Sequence, residues 1–475
     1  MNHTDLLFHL QAYGETDTYP FHMPGHKRNT AMLGNALPYS MDITEIDGFD
    51  DLHAPEGILK DLNDRLAALY GAKHSFALVN GSTCGILAGI AAATQQGDKI
   101  LLARNCHKSV YNAVELLGLV PVYIQPPTDE KTGIAGSIAP ESVEEALKQN
   151  KDIRLCVLTS PTYDGIISDI RTIADILHAK DIPLLVDEAH GAHLAFTNQK
   201  TCSAVAAGAD IVIHSLHKTL PALTQTAAAH LCTDRISPAS FQRKLSVFET
   251  SSPSYILLAS VSECVRFLEE NGQTAFLKYA ERLDDFSENC KALEHCTVLC
   301  KGKDCLEMHP AFFAFDGGKL PIVTANTNTD GVSLLQKLRA EYKIEGEMAA
   351  VSYALLMTSV CDTAEGFTRL FAALREMDRT LQTAVAPPQF TPVPLPPVVF
   401  SPAAAAKQTG ARVPLQNTVG KTSLNTVWCY PPGVPLLVRG ERVTREIAAA
   451  LENAKAHGLK VLADGGEFPK ITVCD

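Results

Sequence analysis

Between about Leu52 and Leu231 the chain alternates two hydrophobic patterns. Short runs apolar at nearly every position read as strands buried on both faces: "HSFALV" from His74, "KILLA" from Lys99, "VPVYI" from Val120, "RLCVLT" from Arg154, "PLLVDE" from Pro183 and "DIVIHS" from Asp210. Between them, "EGILKDLNDRLAALYGA" and "ESVEEALKQN" place apolar residues on one helical face, and Gly71 supplies a stop for the first. This alternation predicts an α/β domain with a mostly parallel sheet and helices on both faces, whose ligands bind beyond the carboxyl ends of the strands.

From Tyr255 to Cys290 the pattern is helical, and "HPAFFAF", "KIEGEM" and "YALLMTSV" then predict a smaller α+β domain. "PPQFTPVPLPPVVFSP", ending at Pro402, is a semi-rigid extended connector, since proline fixes φ and donates no backbone hydrogen bond. The expected organisation is an N-terminal arm (1–45), a large domain (46–270), a small α+β domain (271–382), the Pro-rich linker (383–402) and a C-terminal domain (403–475).

Composition narrows the function. The 475 residues are 46% hydrophobic and carry a net charge of −12, and no basic run occurs, so a nucleic-acid partner is not expected. No apolar run approaches the roughly 18 residues a membrane span needs, and "MNHTDLLFHLQAYGETD" does not read as a secretory signal. Thirteen cysteines are scattered without a Cys-x-x-Cys pair, and the spacing in "CKALEHCTVLCKGKDC" is not that of a zinc site. They read as reduced thiols in a cytoplasmic protein.

Three polar clusters fall at strand ends. "FALVNGSTCGILAGIAAA" puts Gly81, Ser82 and Thr83 between a strand and an Ala-rich helix, where amides and hydroxyls of a helix start can close on an anion. Taken alone, this is equally a capped helix. "PLLVDEAHGAHLAF" ends an apolar strand in Asp187, Glu188 and His190, and a carboxylate there is costly unless paired. His190 and His193 make only a weak metal pattern, so no metal is expected. "ADIVIHSLHKTL" brings Ser215, His217 and Lys218 to the end of the next strand-like run. A phosphate cradle, a buried carboxylate for a ring nitrogen and a lysine for an aldehyde are together what pyridoxal 5'-phosphate requires.

With these residues in view, the chain resembles the bacterial ornithine/lysine/arginine decarboxylase family of fold-type I pyridoxal-phosphate enzymes, most of all its short arginine decarboxylase branch. The matching stretches are "FHMPGHK", "DITEIDGFDDLHAPEG", "NGST", "RNCHKS", "SPTYDGIISDI", "DEAHGAH", "SLHK", "TSSPSY" and "YPPGVPLL", in the family's order along nearly the whole chain. The resemblance implies PLP-dependent decarboxylation of arginine, lysine or ornithine to an amine and CO2, with a place in polyamine biosynthesis. It makes Lys218 the Schiff-base lysine and Asp187 the partner of the pyridine nitrogen. His107 would stack on one ring face with Ala189 on the other. Ser82, Thr83, Ser215 and His217 would hold the phosphate, and His190 would contact the ring hydroxyl. Ser252 would reach the partner subunit's phosphate in a homodimer or higher even oligomer with shared sites.

Two regions depart from the family pattern, Asp304–Pro310 and Leu424–Cys429, and leave the substrate side chain open. Asp47, Asp50, Asp51 and Glu249 are the candidate carboxylates for a cationic substrate tail. The alternatives are an aminotransferase or α-oxoamine synthase on the same fold, and a catalytically inactive regulatory homologue.

Overall fold

The computed structural model describes residues 5–299, 303–384 and 390–475. The head of the N-terminal arm, Cys300 of the cysteine cluster, and Pro387 and Pro388 of the linker lie outside the described residues. The chain forms two compact units, each discontinuous in sequence: residues up to Ala93 with Pro183–Leu277, and Thr94–Ile182 with Lys278–Asp475.

In the first unit the strands stand in the order His74–Leu78, Ala227–Leu231, Ile211–His214, Leu184–Asp187. The last two pair in parallel, and Ala227–Leu231 runs antiparallel to both its neighbours. Helix Gly81–Ala93 presses closely on these strands through two glycines one turn apart. A Cβ on Gly85 would come within 2.9 Å of Leu78 Cδ1, and one on Gly89 within 2.6 Å of Leu185 Cδ1. In the second unit Lys99–Ala103 lies between Ile153–Thr159 and Val120–Ile124, parallel to both. Leu101, Leu102, Leu155 and Val157 have no solvent access, so Lys99–Ala103 and Ile153–Thr159 are the buried strands expected, whereas the edge strand Val120–Ile124 leaves Val120 exposed and Val122 and Tyr123 half-buried.

The later chain builds small antiparallel sheets within the second unit. One has the order Met348–Ala349, Tyr353–Met357, Lys319–Val323, Thr297–Val298 and accompanies helices Gly331–Tyr342 and Ala364–Asp378. Two three-stranded sheets and helix Arg445–Ala456 close around Leu415, Val427, Leu437, Val443, Leu451 and Ile471. Helix Tyr255–Cys290 covers the span its pattern predicts.

One element falls outside the reading of the sequence and one position differs from it. Ala227–Leu231 ("AAAHL") is a strand although alanine favours helix; with all five residues buried, pairing on both edges overrides propensity. Lys218 is not at a strand end: the strand stops at His214, and Lys218 sits in the short helix Leu216–Thr219 that follows. Among the described residues no helix is long and apolar enough to cross a membrane.

Helix Ile58–Tyr70 has Gly57 as N-cap, with no side chain to cap it. Asp50 does so instead. Its Oδ2 accepts the amides of Gly57 at 2.8 Å and Leu59 at 3.0 Å, and its Oδ1 those of Asp51 and Glu56, both at 3.0 Å. Partial burial raises the Asp50 pKa, but these four N–H donors outweigh it and hold the carboxyl below its ordinary range. Asp50 also has φ +68°, a conformation that Asp and Asn tolerate better than Ala. Asp50→Ala is therefore expected to cost more than Asp50→Asn, by about 1–2 kcal/mol or more for the lost cap with strain added. Because the folded pKa is depressed, the advantage of wild type over Asp50→Asn is present above the usual Asp pKa and disappears as pH falls through the folded value. Urea midpoints of the three proteins between about pH 3 and pH 7 measure both effects.

Candidate active site

Most of the predicted residues meet in the first unit. Helix Gly81–Ala93 starts at Gly81, whose φ of +71° turns the chain from the first strand into the helix. The Gly81 amide donates to the Gln225 carbonyl at 2.9 Å, and Gln225 Nε2 donates to the Val79 carbonyl at 2.5 Å, so the 221–226 loop is tied to the helix start. Ser82 follows, and its hydroxyl receives that of the buried Ser215 at 3.0 Å. Thr83 is exposed at the same helix start. The Ser82–Ser215 pair thus joins the two predicted phosphate segments.

His217 Nδ1 lies 2.8 Å from the Thr226 carbonyl, which can only accept. Nδ1 therefore carries a proton, and Nε2 is an acceptor unless the ring is charged. Burial pushes the His217 pKa down, opposed by that same hydrogen bond. Lys218 Nζ is 3.0 Å from His190 Nε2. The neighbouring Thr219 hydroxyl is buried without a hydrogen-bond partner among the described residues.

Asp187 ends its strand 3% exposed. Burial pushes its pKa up, against the pull of the Lys218 charge and of the Ala189 amide, which donates to Oδ1 at 3.2 Å. Ala189, predicted to face the ring, thus also orients this carboxylate. Ser252 is exposed, and its amide donates to the Thr250 hydroxyl at 3.3 Å. His107 belongs to the second unit, where it is the N-cap of helix Lys108–Leu116 and its Nδ1 accepts the Ser109 amide.

Glu188 heads a buried network that the sequence reading missed. Its Oε1 accepts the Ala204 amide at 2.8 Å, and its Oε2 lies 3.2 Å from the Ser203 hydroxyl and 2.8 Å from His214 Nε2. His214 Nδ1 is 3.0 Å from His230 Nε2, and His230 Nδ1 is 2.7 Å from the Ser75 hydroxyl. The Tyr70 ring packs against both imidazoles, each at 4.7 Å between centroids. The signal was a histidine in each of two otherwise apolar strands, "IVIH" and "AAAHL".

Of the suggested substrate carboxylates, Asp50 is committed to its helix cap. Glu249 is buried and accepts the Val79 amide at 2.7 Å. The two departures from the family pattern also have structural work. His309 pairs with buried Asp129 at 3.0 Å, and Asn425 bonds the Asp464 carbonyl and the Thr472 amide.

Residues 4–319 match the Orn/Lys/Arg decarboxylase major domain, and residues 386–458 match that family's C-terminal domain. The chain belongs to the Orn/Lys/Arg decarboxylase family. It is accordingly a carboxy-lyase of a basic amino acid, the reading that the family supports over the aminotransferase and synthase alternatives. An arginine decarboxylase of Halalkalibacterium halodurans is 33% identical over 469 residues, 96% of this chain and 94% of the relative. One of Bacillus subtilis is 32% identical over 93% of this chain and 92% of its own length. The solved Francisella novicida lysine decarboxylase LdcF superposes with a TM-score of 0.84 at 20% identity, covering 99% of this chain and 81% of that one. That likeness establishes the fold-type I architecture. Sphingomonas wittichii serine palmitoyltransferase shares the fold more loosely, with a TM-score of 0.53 at 16% identity over 68% of this chain and 76% of its own.

The Glu188 network yields a pH prediction. Burial drives the Glu188 carboxyl up and the His214 imidazole down, so both favour their neutral forms. A protonated Glu188 can donate to His214 Nε2, His214 to His230, and His230 to Ser75, with no charge in the chain. Glu188→Gln keeps one acceptor and one donor and should cost little. Glu188→Ala strands the Ala204 amide and the imidazole, and should cost about 3 kcal/mol. With its folded pKa raised, Glu188 stabilises fully below the ordinary carboxyl pKa and loses that contribution as pH rises through the raised value. Wild type should therefore lose stability relative to Glu188→Gln from about pH 5 upward, as urea unfolding at a series of pH values would show. A constant gap between the two proteins would mean that Glu188 is ionised throughout.

Proposed function

We propose that this enzyme decarboxylates arginine to agmatine with pyridoxal 5'-phosphate held on Lys218. The observation that carries the reading is one cluster in the first unit: Lys218 beside His190 Nε2, with the buried Asp187 carboxylate feeling the Lys218 charge. The names of the arginine decarboxylases of Halalkalibacterium halodurans and Bacillus subtilis support the choice of arginine.

The residues present fit the cofactor. The helix start at Gly81–Thr83, the Ser82–Ser215 hydroxyl pair and the Thr219 hydroxyl next to Lys218, unpartnered among the described residues, offer donors suited to a phosphate. Asp187, buried and held by a single amide, suits a protonated ring nitrogen. When bound, the cofactor supplies an aldehyde for an amine and a ring that accepts the electron pair left as CO2 departs.

The chain's own residues do the rest. Ser82, Thr83 and Ser215 anchor the phosphate, and His217 can donate to it through Nε2 only as the imidazolium, because Nδ1–H is committed to Thr226. Asp187 stays ionised against its buried surroundings through its cationic partners and keeps the ring nitrogen protonated. His190, at hydrogen-bond distance from Lys218 Nζ, would take the ammonium's proton and free the amine as nucleophile, and the family pattern implies that it would also contact the ring hydroxyl. Lys218, once released, is the group to return a proton to the substrate carbon. His107 and Ala189 would hold the cofactor ring, roles that the family pattern implies.

Ser252 and its neighbours serve the partner subunit's phosphate in a homodimer, and its exposure supports this. The segments 1–45, 46–270, 271–382, 383–402 and 403–475 remain our proposed domains. A cytoplasmic setting fits thirteen cysteines without a Cys-x-x-Cys pair or zinc-type spacing.

Assays of the purified protein with arginine, lysine and ornithine should give agmatine and CO2 from arginine fastest; cadaverine or putrescine as the faster product would reassign the substrate. Borohydride reduction should leave a phosphopyridoxyl group on the Lys218 peptide. Asp187→Asn should retain cofactor but lose turnover by a few hundredfold, about 3–4 kcal/mol of electrostatic stabilisation. Near-normal turnover would remove Asp187 from the ring nitrogen.

Shared sites make a separate prediction. Lys218→Ala and Ser251→Ala/Ser252→Ala should each be inactive alone. After subunit exchange the mixture should recover about a quarter of wild-type activity, since half the dimers are mixed and each has one intact site of two. Proven exchange without recovery, or an active serine variant, would refute sharing.

A further inference from the structure

The loop that carries His107 is fastened at both ends to a segment more than three hundred residues away, in the same unit. On one side Arg104 donates to the Pro435 carbonyl at 2.6 Å and the Leu436 carbonyl at 3.2 Å, and pairs with Glu441 at 3.1 Å. Arg104 and Glu441 are 7% and 1% exposed. On the other side the Lys108 amide donates to the Gly433 carbonyl at 3.1 Å, and the Lys108 ammonium lies 5.0 Å from the centroid of the Trp428 ring. His107 stands between these fastenings.

Gly433 closes the turn through its amide, which donates to the Cys429 carbonyl at 2.9 Å. It has φ +88°, and a Cβ built on it would lie 3.2 Å from both Cδ2 and Nε2 of His107. The imidazole edge therefore lies against a backbone that has no side chain. The other edge is held by Ser109: its amide reaches Nδ1 at 3.3 Å and its hydroxyl stands 2.9 Å from the same nitrogen. An amide can only donate, so Nδ1 is the bare nitrogen and the neutral ring carries its proton on Nε2, toward Gly433. Position, tilt and tautomer of His107 are thus fixed by two elements, the start of its own helix and the Cys429–Gly433 turn.

We propose that the Cys429–Gly433 turn is a positioning element for His107, with Gly433 setting the orientation of the imidazole through which the enzyme grips its cofactor. The proposal rests on the reading of His107 as the residue that stacks on the cofactor ring. It gives the "YPPG" stretch a physical role: a side chain at Gly433 would have to displace the imidazole by a few tenths of an ångström.

The test uses Gly433→Ala and Gly433→Asn, alone and combined with His107→Ala. Asn adds the same Cβ but tolerates positive φ better than Ala, so it carries the test should the Ala protein fail to fold. Cofactor affinity is read by titrating the apoenzyme with pyridoxal 5'-phosphate and following Trp428, the single tryptophan of the chain. Each Gly433 variant should bind the cofactor about three- to tenfold more weakly, as expected for a misplaced aromatic stack. In the His107→Ala background neither should weaken binding further. Independently, the imidazole 15N signals of His107 in the apoenzyme, assigned by their loss in His107→Ala, should show a bare Nδ1 in wild type and a tautomer mixture in both Gly433 variants.

Folded Gly433 variants with wild-type affinity and unchanged His107 signals would overturn the proposal. So would a Gly433 effect that persists undiminished without His107. If His107→Ala itself binds cofactor normally, the stacking role of His107 fails instead. The apoenzyme 15N signals then still report whether Gly433 orients the ring.

Discussion

Two adjacent carboxylates, Asp187 and Glu188, stand where a strand ends with almost no access to water, and the first unit is organised around how each is compensated. An isolated buried carboxylate is so costly that it either finds partners or takes up a proton. Glu188 does both. An amide, a hydroxyl and an imidazole surround it, and the network continues through His230 to Ser75. Asp187 is treated differently: one amide steadies it, and the Lys218 charge draws it toward ionisation against its surroundings. Neighbouring residues at a strand end diverge to different surroundings, so one carboxyl serves structure and the other is kept for a cationic partner. This division is what the role proposed for Asp187, at a protonated ring nitrogen, requires.

Much of this was legible in the sequence because the chemistry left polar residues at ends of apolar runs. "VDEAH" and "HSLHK" stand out for that reason, and the first-unit residues they name do come together. The strands were legible because a buried parallel strand is apolar at nearly every position, and the long helix because its pattern is unbroken from Tyr255 to Cys290. What escaped was decided by tertiary pairing. "AAAHL" has the local preferences of a helix and becomes a strand only because two neighbours accept it. His214 and His230 sit on adjacent antiparallel strands, but nothing in either strand alone says that the other exists. Asp50 read as a candidate carboxylate for a substrate tail, and its commitment to a helix start several residues onward depends on a positive φ that no local rule demands.

The same limit governs the contact between His107 and the C-terminal segment. Each half carries a recognisable motif, "NCHKS" and "YPPGVPLL", yet only the folded second unit brings them into contact. The buried Arg104–Glu441 pair is instructive here. Burial raises the Glu441 pKa and Arg104 opposes it, the signature of a pair whose desolvation cost is offset by mutual attraction and hydrogen bonds rather than one that adds much stability. Its value lies in geometry. A guanidinium with fixed fork directions that must satisfy the Pro435 and Leu436 carbonyls and the Glu441 carboxylate at once accepts few registers of one segment against the other. Once that register is set, the Lys108 amide meets the Gly433 carbonyl and the imidazole of His107 meets a residue without a Cβ. An apolar replacement of the ion pair could match its stability, but it would not specify that alignment.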